Sequence, residues 1–328
     1  MTRADEVGRG LAGHLRQALG APGLELAAPP VPLSGGFDTE IYAFRLRHGP
    51  PGFDGALVLR ALRPHHDPAR VLREQATQNA LAAQGYPAPR VLLATLDPAP
   101  LGAAFAIMER APGVPLLSRV VGMAGVLVEA QLRLHALDPA PLRATLPDLD
   151  AYLAALARRI DAASLSGLAP LLAWLRERRP RPDAGAVICH GDLHPQNILV
   201  EGRAVSGVLD WPNALVAEPA FDVASTLSIL RFVPASLAVP GPLGWLARAG
   251  QKILAARYLA GYRRRRPIDA GRLAYYEVAA AMRALVRNGE SRRRAAGAPP
   301  PSALDRSPYA ARLLARSARI TGITASQP

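Results

Sequence analysis

Short hydrophobic runs separated by polar turns dominate the first third of the chain, and they predict strands arranged around one helix. The strands are expected at Val31–Leu33, Ile41–Arg47, Ala56–Leu62, Val91–Thr95 and Phe105–Glu109. Between the third and fourth runs, Asp67 is a typical cap for a helix that continues to about Gln84. Met1–Leu19 is expected to form a further, polar helix. The pair Pro112–Gly113 ends this pattern, so we place a domain boundary after residue 113.

The rest of the chain has mainly the apolar spacing of three and four residues that is typical of amphipathic helices. Helices are predicted at Leu116–Leu137, Leu149–Arg178, Leu246–Tyr262, Ala270–Arg287 and Pro308–Arg319. One interruption, Ala186–Asp210, contains short strand-like runs separated by a polar loop. The pattern therefore predicts an α+β protein, with a strand-rich domain at residues 1–113 and a mainly helical domain at residues 114–328.

The composition narrows the class of protein. A chain of 328 residues with 50% hydrophobic and 20% charged residues can bury a sizeable core, which excludes wholesale disorder. No segment approaches the roughly 18 apolar residues that a membrane-spanning helix needs, and the N-terminus lacks the apolar core of a signal peptide. The single cysteine, Cys189, excludes an internal disulfide or a cysteine-cluster metal site. We therefore expect a cytoplasmic protein without a membrane partner, whose oligomeric state stays open.

The positive charge of the chain is concentrated in its second part. There are 39 basic and 26 acidic residues, a net charge of +13, and Lys252 is the only lysine. Residues 1–113 carry 11 basic and 10 acidic residues, so residues 114–328 hold a net +12. This excess indicates either an anionic partner or solvated arginine clusters. The runs Arg263–Arg266 and Arg292–Arg294 leave nucleic-acid binding open, but without interleaved aromatic residues we do not expect it.

A polar loop between two apolar runs carries the clearest chemistry. The loop reads His190-Gly191-Asp192-Leu193-His194-Pro195-Gln196-Asn197, and Asp210 ends a later strand. Phosphoryl transfer needs a base near the acceptor hydroxyl, and hard oxygen ligands for the magnesium that bridges the nucleotide phosphates. Asp192 is suited to orient and deprotonate the hydroxyl, whereas Asn197 and Asp210 supply a neutral and an anionic oxygen ligand. The loop therefore predicts a phosphoryl-transfer site.

The same residues resemble a known family. His-x-Asp-x-x-x-x-Asn followed by a strand-ending Asp resembles the protein kinases. The longer segment from His190 to Leu199, together with Leu209-Asp210-Trp211, is more similar to the aminoglycoside phosphotransferase and choline kinase-like small-molecule kinases. The segment Glu218–Ala224 is similar to that family's next motif, where Asp222 would support the catalytic loop, although Ala217-Glu218 replaces the usual Gly-Asp.

The resemblance covers about Val31–Arg287 and implies a protein kinase-like, bilobal fold. In that fold a small antiparallel-sheet lobe with one helix binds ATP or GTP with Mg²⁺, and a larger, mainly helical lobe binds a small molecule with an acceptor hydroxyl. The chain would then transfer the γ-phosphoryl group from the nucleotide to that hydroxyl.

The resemblance also implies nucleotide-binding roles in the first lobe. The turn containing Ser34, Gly35 and Gly36 would cover the phosphates, although alone it is only a hairpin turn. Arg60 stands where protein kinases have the phosphate-binding lysine, and its planar fork can engage phosphate or carboxylate oxygens. Glu74 would be its carboxylate partner; the alternative is an exposed surface pair.

Three further assignments leave alternatives open. Met108, Glu109 and Arg110 resemble the hinge that receives the nucleotide base through backbone groups, although Met108 could equally be ordinary core. His194 lies where many protein kinases have a lysine near the transferred phosphate, so it would either donate a hydrogen bond there or stabilise the loop. His135 is interpreted as a packed helix histidine.

The charge of the second lobe bears on the acceptor. Its net +12 repels a polycationic aminoglycoside at long range, so a neutral or anionic alcohol fits better. Salt screens this field beyond about 8 Å, and a local acidic pocket could override it. The residues that could form such a pocket are Glu218, Asp222, Glu277, Tyr275 and Tyr276. The missing lysine keeps a second interpretation open, a nucleotide-binding pseudokinase.

Overall fold

The computed structural model describes residues 3–33, 39–63, 66–119, 121–181, 185–233, 244–293, 304 and 307–326. The chain divides into two compact units. The first unit contains Met1–Val114 and Leu199–Pro212, and the second contains Pro115–Ile198 and Asn213–Pro328. The sequence-predicted division at residue 113 assigned all later residues to the second domain, whereas the structure packs Leu199–Pro212 with the first unit.

Strands form the centre of the first unit. Along the chain the strands are β1 (Glu25–Leu26), β2 (Val31–Pro32), β3 (Thr39–Phe44), β4 (Leu46–Arg47), β5 (Leu57–Leu62), β6 (Val91–Thr95), β7 (Phe105–Glu109), β8 (Val114–Pro115), β9 (Val187–Cys189), β10 (Ile198–Glu201), β11 (Ala204–Val208) and β12 (Leu215–Ala217). Antiparallel pairing gives a five-stranded sheet in the order β2-β3-β5-β7-β6. In the central strand β5, Arg60 pairs with Ile41 of β3 and Ala106 of β7.

Two helices accompany this sheet. Helix α1 (Arg3–Ala18) buries Val7, Leu11 and Leu15 in the same hydrophobic cluster as the inner residues of β5 and β7. Helix α2 (Arg70–Ala83) begins later than the sequence predicts, and its cap residue is Ala69 instead of Asp67. The Asp67 carboxylate accepts the Ala69 N–H at 3.0 Å, so it stabilises the turn before the helix.

The segment Leu199–Pro212 is tied to the first unit by backbone and side-chain contacts. Strand β11 pairs with β10, and β10 pairs with β8, in a three-stranded sheet. The Val208 N–H donates to the Pro87 carbonyl at 2.7 Å. The buried Trp211 ring packs edge-on against Tyr86, with 5.8 Å between the ring centroids. These contacts fix β11, which ends at Val208, and Asp210 follows two residues later.

The second unit is mainly helical. Its helices are α3 (Met123–His135), α4 (Leu149–Ala162), α5 (Ala169–Glu177), α6 (Pro219–Phe232), α7 (Gly244–Arg265), α8 (Ala270–Arg292) and α9 (Tyr309–Thr321). Helix α6 is buried on nearly every side and packs against α7, α8 and α9. The single helix predicted at Leu149–Arg178 is two helices, because Ser164 has a left-handed backbone (φ 51°) and Ser166–Leu168 forms a 3₁₀ turn.

The paired strands β9 and β12 interrupt these helices and frame the polar loop. Among the described residues, each helix is too short or too polar to cross a membrane.

Candidate active site

The polar loop leaves β9 through a turn that only glycine can make. Gly191 has a left-handed backbone (φ 73°), and a Cβ atom there would lie 2.4 Å from the carbonyl oxygen of Asn213. Its N–H donates to Asp222 Oδ1 at 2.7 Å. Asp222, on the first turn of α6, therefore holds the loop at the residue before Asp192.

Asp222 belongs to a buried polar network. Its Oδ2 lies 3.0 Å from His135 Nε2, and His135 Nδ1 lies 2.7 Å from the Tyr262 hydroxyl. Burial acts to raise the pKa of the Asp222 carboxyl, but hydrogen bonds from His135 and Gln131 and the His135 charge outweigh it, so that pKa is lowered. The network joins α3, α6 and α7 behind the loop, and His135 is a bonded partner of Asp222 as well as a packed residue.

Asp192 is held less closely than Asp222. Its Oδ2 lies 3.4 Å from Asn213 Nδ2, and its Oδ1 lies 3.6 Å from Nη2 of Arg283 on α8. A well-formed N–H···O hydrogen bond has a length of about 2.7–3.2 Å, so both contacts are long. The Asp192 side chain keeps 25% of its surface exposed. A carboxylate in this setting can still accept a hydrogen bond from a substrate.

Asn197 closes the loop on itself. Its Nδ2 donates to the Asp192 carbonyl at 3.0 Å, and its backbone N–H donates to the His194 carbonyl at 2.9 Å. The Oδ1 atom on the other side of this amide is a ligand type that Mg²⁺ accepts. His194 Nδ1 accepts the Gln196 N–H at 3.3 Å, the contact expected if the histidine stabilises the loop. A role for His194 at the transferred phosphate stays a prediction.

In the first unit, Arg60 bonds two carboxylates at once. Nη1 donates to Glu74 Oε2 and Nη2 donates to Asp210 Oδ1, each at 3.0 Å. Glu74 also accepts from Arg70 Nε at 2.8 Å. The Arg60 and Glu74 side chains are only 13% and 6% exposed, so the alternative of an exposed surface pair is wrong. Asp210 has a left-handed backbone (φ 70°), a strained conformation that is common at functional sites.

This cluster places the predicted phosphate-binding arginine beside a predicted metal ligand within one unit. Asp210 supplies the anionic oxygen that magnesium prefers, and Arg60 supplies a cation that could shift toward a phosphate. The donor types therefore fit a magnesium–nucleotide complex.

The predicted hinge lies at the end of β7. Met108 is buried in a hydrophobic cluster, as its core alternative requires. The backbone N–H of Glu109 donates to Arg90, and that of Arg110 donates to Ala56, at 3.0 and 2.9 Å. Both donors thus serve the sheet, so a nucleotide base would have to use other backbone groups here. Base binding by these residues stays a prediction.

The predicted phosphate-binding turn, Ser34, Gly35 and Gly36, lies outside the described residues. The strands before and after it are described, and the Leu33 N–H donates to the Ile41 carbonyl at 2.8 Å. The role of the turn stays a prediction.

The acidic residues that might have formed a pocket for a polycation are buried and neutralised. Glu218 accepts both contacts from Nη1 of Arg272, at 2.8 and 2.9 Å. Glu277 accepts from Arg231 at 2.8 Å and from Arg316 at 2.6 Å. Tyr275 and Tyr276 are buried, and the Tyr275 hydroxyl donates to the Leu175 carbonyl at 2.8 Å. The acidic pocket that the sequence leaves open is therefore not formed by these residues.

Two residues that contact Asp192, Arg283 and Asn213, were not predicted from the sequence. Arg283 occurs in a long amphipathic helix with several other arginines, so its type and spacing gave no signal. Asn213 lies close behind the Asp210 motif, and its polar side chain at that place is the signal that the sequence offers.

The loop, the ion pairs and the fold are those expected of a phosphotransferase with a protein kinase-like fold. Accordingly, the sequence profile of the phosphotransferase enzyme family (APH) matches residues 31–268. The chain belongs to this family.

Solved structures share the fold. A Ralstonia eutropha JMP134 protein assigned to the aminoglycoside phosphotransferases aligns with 97% of this chain and 98% of its own, with a TM-score of 0.65 and 20% identity. Aminoglycoside phosphotransferase APH(4)-Ia, in a ternary complex with AMP-PNP and hygromycin B, covers 95% of this chain and 98% of its own, with a TM-score of 0.60 and 17% identity. Macrolide 2'-phosphotransferase type I gives 0.55 at 18% identity, covering 96% and 97% of the two chains. These likenesses establish the kinase-like fold, a small sheet lobe and a larger helical lobe.

Relatives by sequence are more varied. Acyl-CoA dehydrogenase family member 11 of Rattus norvegicus is 28% identical over 220 residues, 60% of this chain. The match spans only about a quarter (26%) of that relative's length. Homoserine kinase of Methylocella silvestris is 33% identical over 111 residues, which are 32% of this chain and 34% of the relative.

Proposed function

We propose that this phosphotransferase uses ATP or GTP with Mg²⁺ to phosphorylate a hydroxyl group of a small molecule that is neutral or anionic rather than polycationic. The observation that carries the proposal is the setting of Asp192. It follows a glycine turn held by the buried Asp222, and within the described part of the chain its carboxylate makes only long contacts, to Asn213 and Arg283. A rigid backbone with an accessible carboxylate is what a general base for an alcohol requires.

In the proposed reaction, Asp192 accepts the proton of the acceptor hydroxyl while that oxygen bonds to the γ-phosphorus. The bond to the β–γ bridging oxygen breaks, and the nucleoside diphosphate leaves. Bound magnesium would neutralise charge on the phosphates, with Asn197 and Asp210 as its proposed protein ligands. Arg60, held by Glu74, would orient the phosphates through its planar fork.

Two observations support an acceptor that is not a polycation. The second lobe has a net charge of +12. The acids Glu218 and Glu277 are already paired with arginines in its interior. Both conditions disfavour a ligand with several ammonium groups.

A broad acceptor screen tests the proposal. Magnesium-dependent release of ADP or GDP is measured with sugars, amino alcohols, hydroxy acids, aminoglycosides and macrolides. Homoserine is included because one relative is a homoserine kinase. Thioesters of coenzyme A whose acyl group carries a hydroxyl are included because another relative belongs to the acyl-CoA dehydrogenase family. The matched variant Asp192→Asn keeps the shape of the side chain, and we expect its turnover to fall by about 10²–10⁴-fold while nucleotide binding is kept.

Three outcomes separate the interpretations. Acceptor-dependent turnover that the Asp192→Asn variant loses supports the proposal. Full turnover in that variant contradicts the assignment of the base. Stoichiometric nucleotide binding without turnover on any acceptor favours the pseudokinase, an alternative suggested by the arginine that replaces lysine at position 60.

A further inference from the structure

A guanidinium group lies beside the proposed base. Arg283 Nη2 lies 3.6 Å from Asp192 Oδ1, and Arg283 Nη1 would lie 3.2 Å from a Cβ atom at Gly191. Arg283 is on α8, and Arg287 follows one helical turn later on the same helix. The Tyr309 phenol on α9 is in the same neighbourhood: burial chiefly raises its pKa, while the charges of Arg283, Asp192 and Arg287 also act on it. The cationic Arg283 therefore flanks the position at which an acceptor hydroxyl would bind.

The contact between Arg283 and Asp192 leaves binding capacity on the guanidinium. A distance of 3.6 Å is too long for a strong hydrogen bond, and the Arg283 side chain is 22% exposed. Guanidinium has five N–H donors in a planar fork that matches a carboxylate. Arg272, earlier on α8, differs sharply: it makes bonds of 2.8 and 2.9 Å to the buried Glu218. Arg283 is thus suited to bind an anion that arrives with the acceptor.

We propose that Arg283 binds the carboxylate of the acceptor, so that the substrate is a hydroxy acid. This inference rests on the proposed function, in which Asp192 takes the hydroxyl proton. The hydroxyl would bond Asp192 while the acid group bonds the Arg283 fork. Arg283 Nη2 lies 3.6 Å from Asp192 Oδ1, and hydrogen bonds of about 2.7–2.9 Å at both ends keep the two groups of the acceptor within roughly 9 Å of each other, as in a short hydroxy acid. The same guanidinium repels an ammonium group, so it would select against aminoglycosides locally as well as through the long-range field.

The test compares acids with their neutral analogues. The acceptors are 3-hydroxybutanoate, 4-hydroxybutanoate and 5-hydroxypentanoate, each assayed beside its primary amide, with kcat and KM measured separately for the wild type. We expect at least one acid to be phosphorylated with a kcat/KM at least about 10-fold above that of its amide, because charge-assisted bonds are stronger than neutral ones.

Variants assign this preference to Arg283. In Arg283→Gln we expect kcat/KM for the acid to fall about 10- to 100-fold, mainly through KM, while the value for the amide changes less than about 3-fold. Arg283→Lys keeps the charge without the fork and should restore part of the loss. The matched control is Arg257→Gln, an exposed arginine of α7, which loses the same charge and should leave both substrates unchanged. Melting temperatures confirm that each variant folds.

The failures are distinguishable. Equal losses for acid and amide in Arg283→Gln would overturn the proposal, because the arginine would then act by positioning Asp192. Phosphorylation of neutral or cationic alcohols but of no hydroxy acid would also overturn it, and the proposed function would stand. If no alcohol of any class is phosphorylated, the proposed function fails and the assignment of Arg283 fails with it.

Discussion

Each unit contains an arginine that faces a carboxylate with a proposed function, but the two pairs are built differently. In the first unit Arg60 donates to Glu74 and Asp210 at 3.0 Å each. In the second unit Arg283 lies 3.6 Å from Asp192. The burial contrast concerns Arg60 and Glu74, which are 13% and 6% exposed, whereas Arg283 and Asp192 are 22% and 25% exposed. A pair removed from water needs short bonds to offset its desolvation, and a more hydrated pair does not. The Arg60 cluster is therefore a set of groups that satisfy one another, and the Asp192 site retains donors and acceptors for a ligand.

The difference follows from the tasks proposed for each unit. A cluster that must receive a highly charged nucleotide gains from being assembled in advance, because little has to be reorganised at binding. An acceptor site must bind and release a smaller group. The long contacts of Asp192 with Asn213 and Arg283 leave its carboxylate able to bind a substrate group and to release it.

The largest effect is expected from Asp210→Asn, which tests the first cluster. The variant keeps the side-chain shape but removes the charge that pairs with Arg60 and the proposed anionic ligand of magnesium. We expect turnover to fall by about 10³-fold or more, since metal stabilisation of the transition state amounts to several kcal/mol. Calorimetry should also show that magnesium no longer strengthens nucleotide binding.

Asp54→Asn, at an exposed aspartate of the same unit, is the control and should behave as the wild type. Unchanged magnesium dependence in Asp210→Asn would mean that Asp210 serves Arg60 alone.

The next effect concerns the support of the second site. Asp222→Asn leaves His135 without its carboxylate partner, and we expect the free energy of unfolding to fall by about 3–5 kcal/mol, as for other broken buried pairs. Urea denaturation at pH 7 measures this loss. Asp161→Asn, at an exposed position of the same unit, should change it by less than about 0.5 kcal/mol.

The same aspartate predicts a pH dependence. Because the pKa of Asp222 is lowered on folding, its contribution is present above the unfolded value of about 4 and is lost as the pH falls through the folded value. The stability difference between wild type and Asp222→Asn should therefore shrink below about pH 4. A difference that stays constant down to pH 2 would contradict this assignment.

The smallest effect is expected from Arg60→Lys. An ammonium group cannot keep both bonds of the fork, so the link to Glu74 or to Asp210 weakens. We expect the Kd of the magnesium–nucleotide complex to rise by about 10-fold. Arg47→Lys, at an exposed residue of β4, is the matched control. If Arg60→Lys binds nucleotide as tightly as the wild type, a point charge suffices and the two-carboxylate arrangement has no functional role.

Local patterns predicted much of the fold. Short apolar runs between turn residues placed β5, β6 and β7 within a residue of their observed bounds, because breakers such as Gly85 and Pro112 delimit the runs. Pairing of Arg60 with Glu74 was implied by resemblance and is present in the structure. The sequence pattern did not predict the break after α4, because the apolar periodicity continues across Ser164. The helix ends there because Ser164 has a left-handed backbone.

Long-range contacts could not be predicted from the sequence alone. His135 and Tyr262 are 127 residues apart, and Arg60 and Asp210 are 150 apart, so no local spacing relates them. Glu277 was considered for an acidic pocket because its charge is visible in the sequence. Its two arginine partners are visible only in three dimensions.

The return of Leu199–Pro212 to the first unit has a consequence for biosynthesis. Residues emerge from the ribosome in order, so the first unit lacks β11 and Asp210 until Pro212 has been made. By then Pro115–Ile198 of the second unit is already synthesised. The two units must therefore mature in overlapping periods of translation, and no single cut in the chain releases the first unit whole.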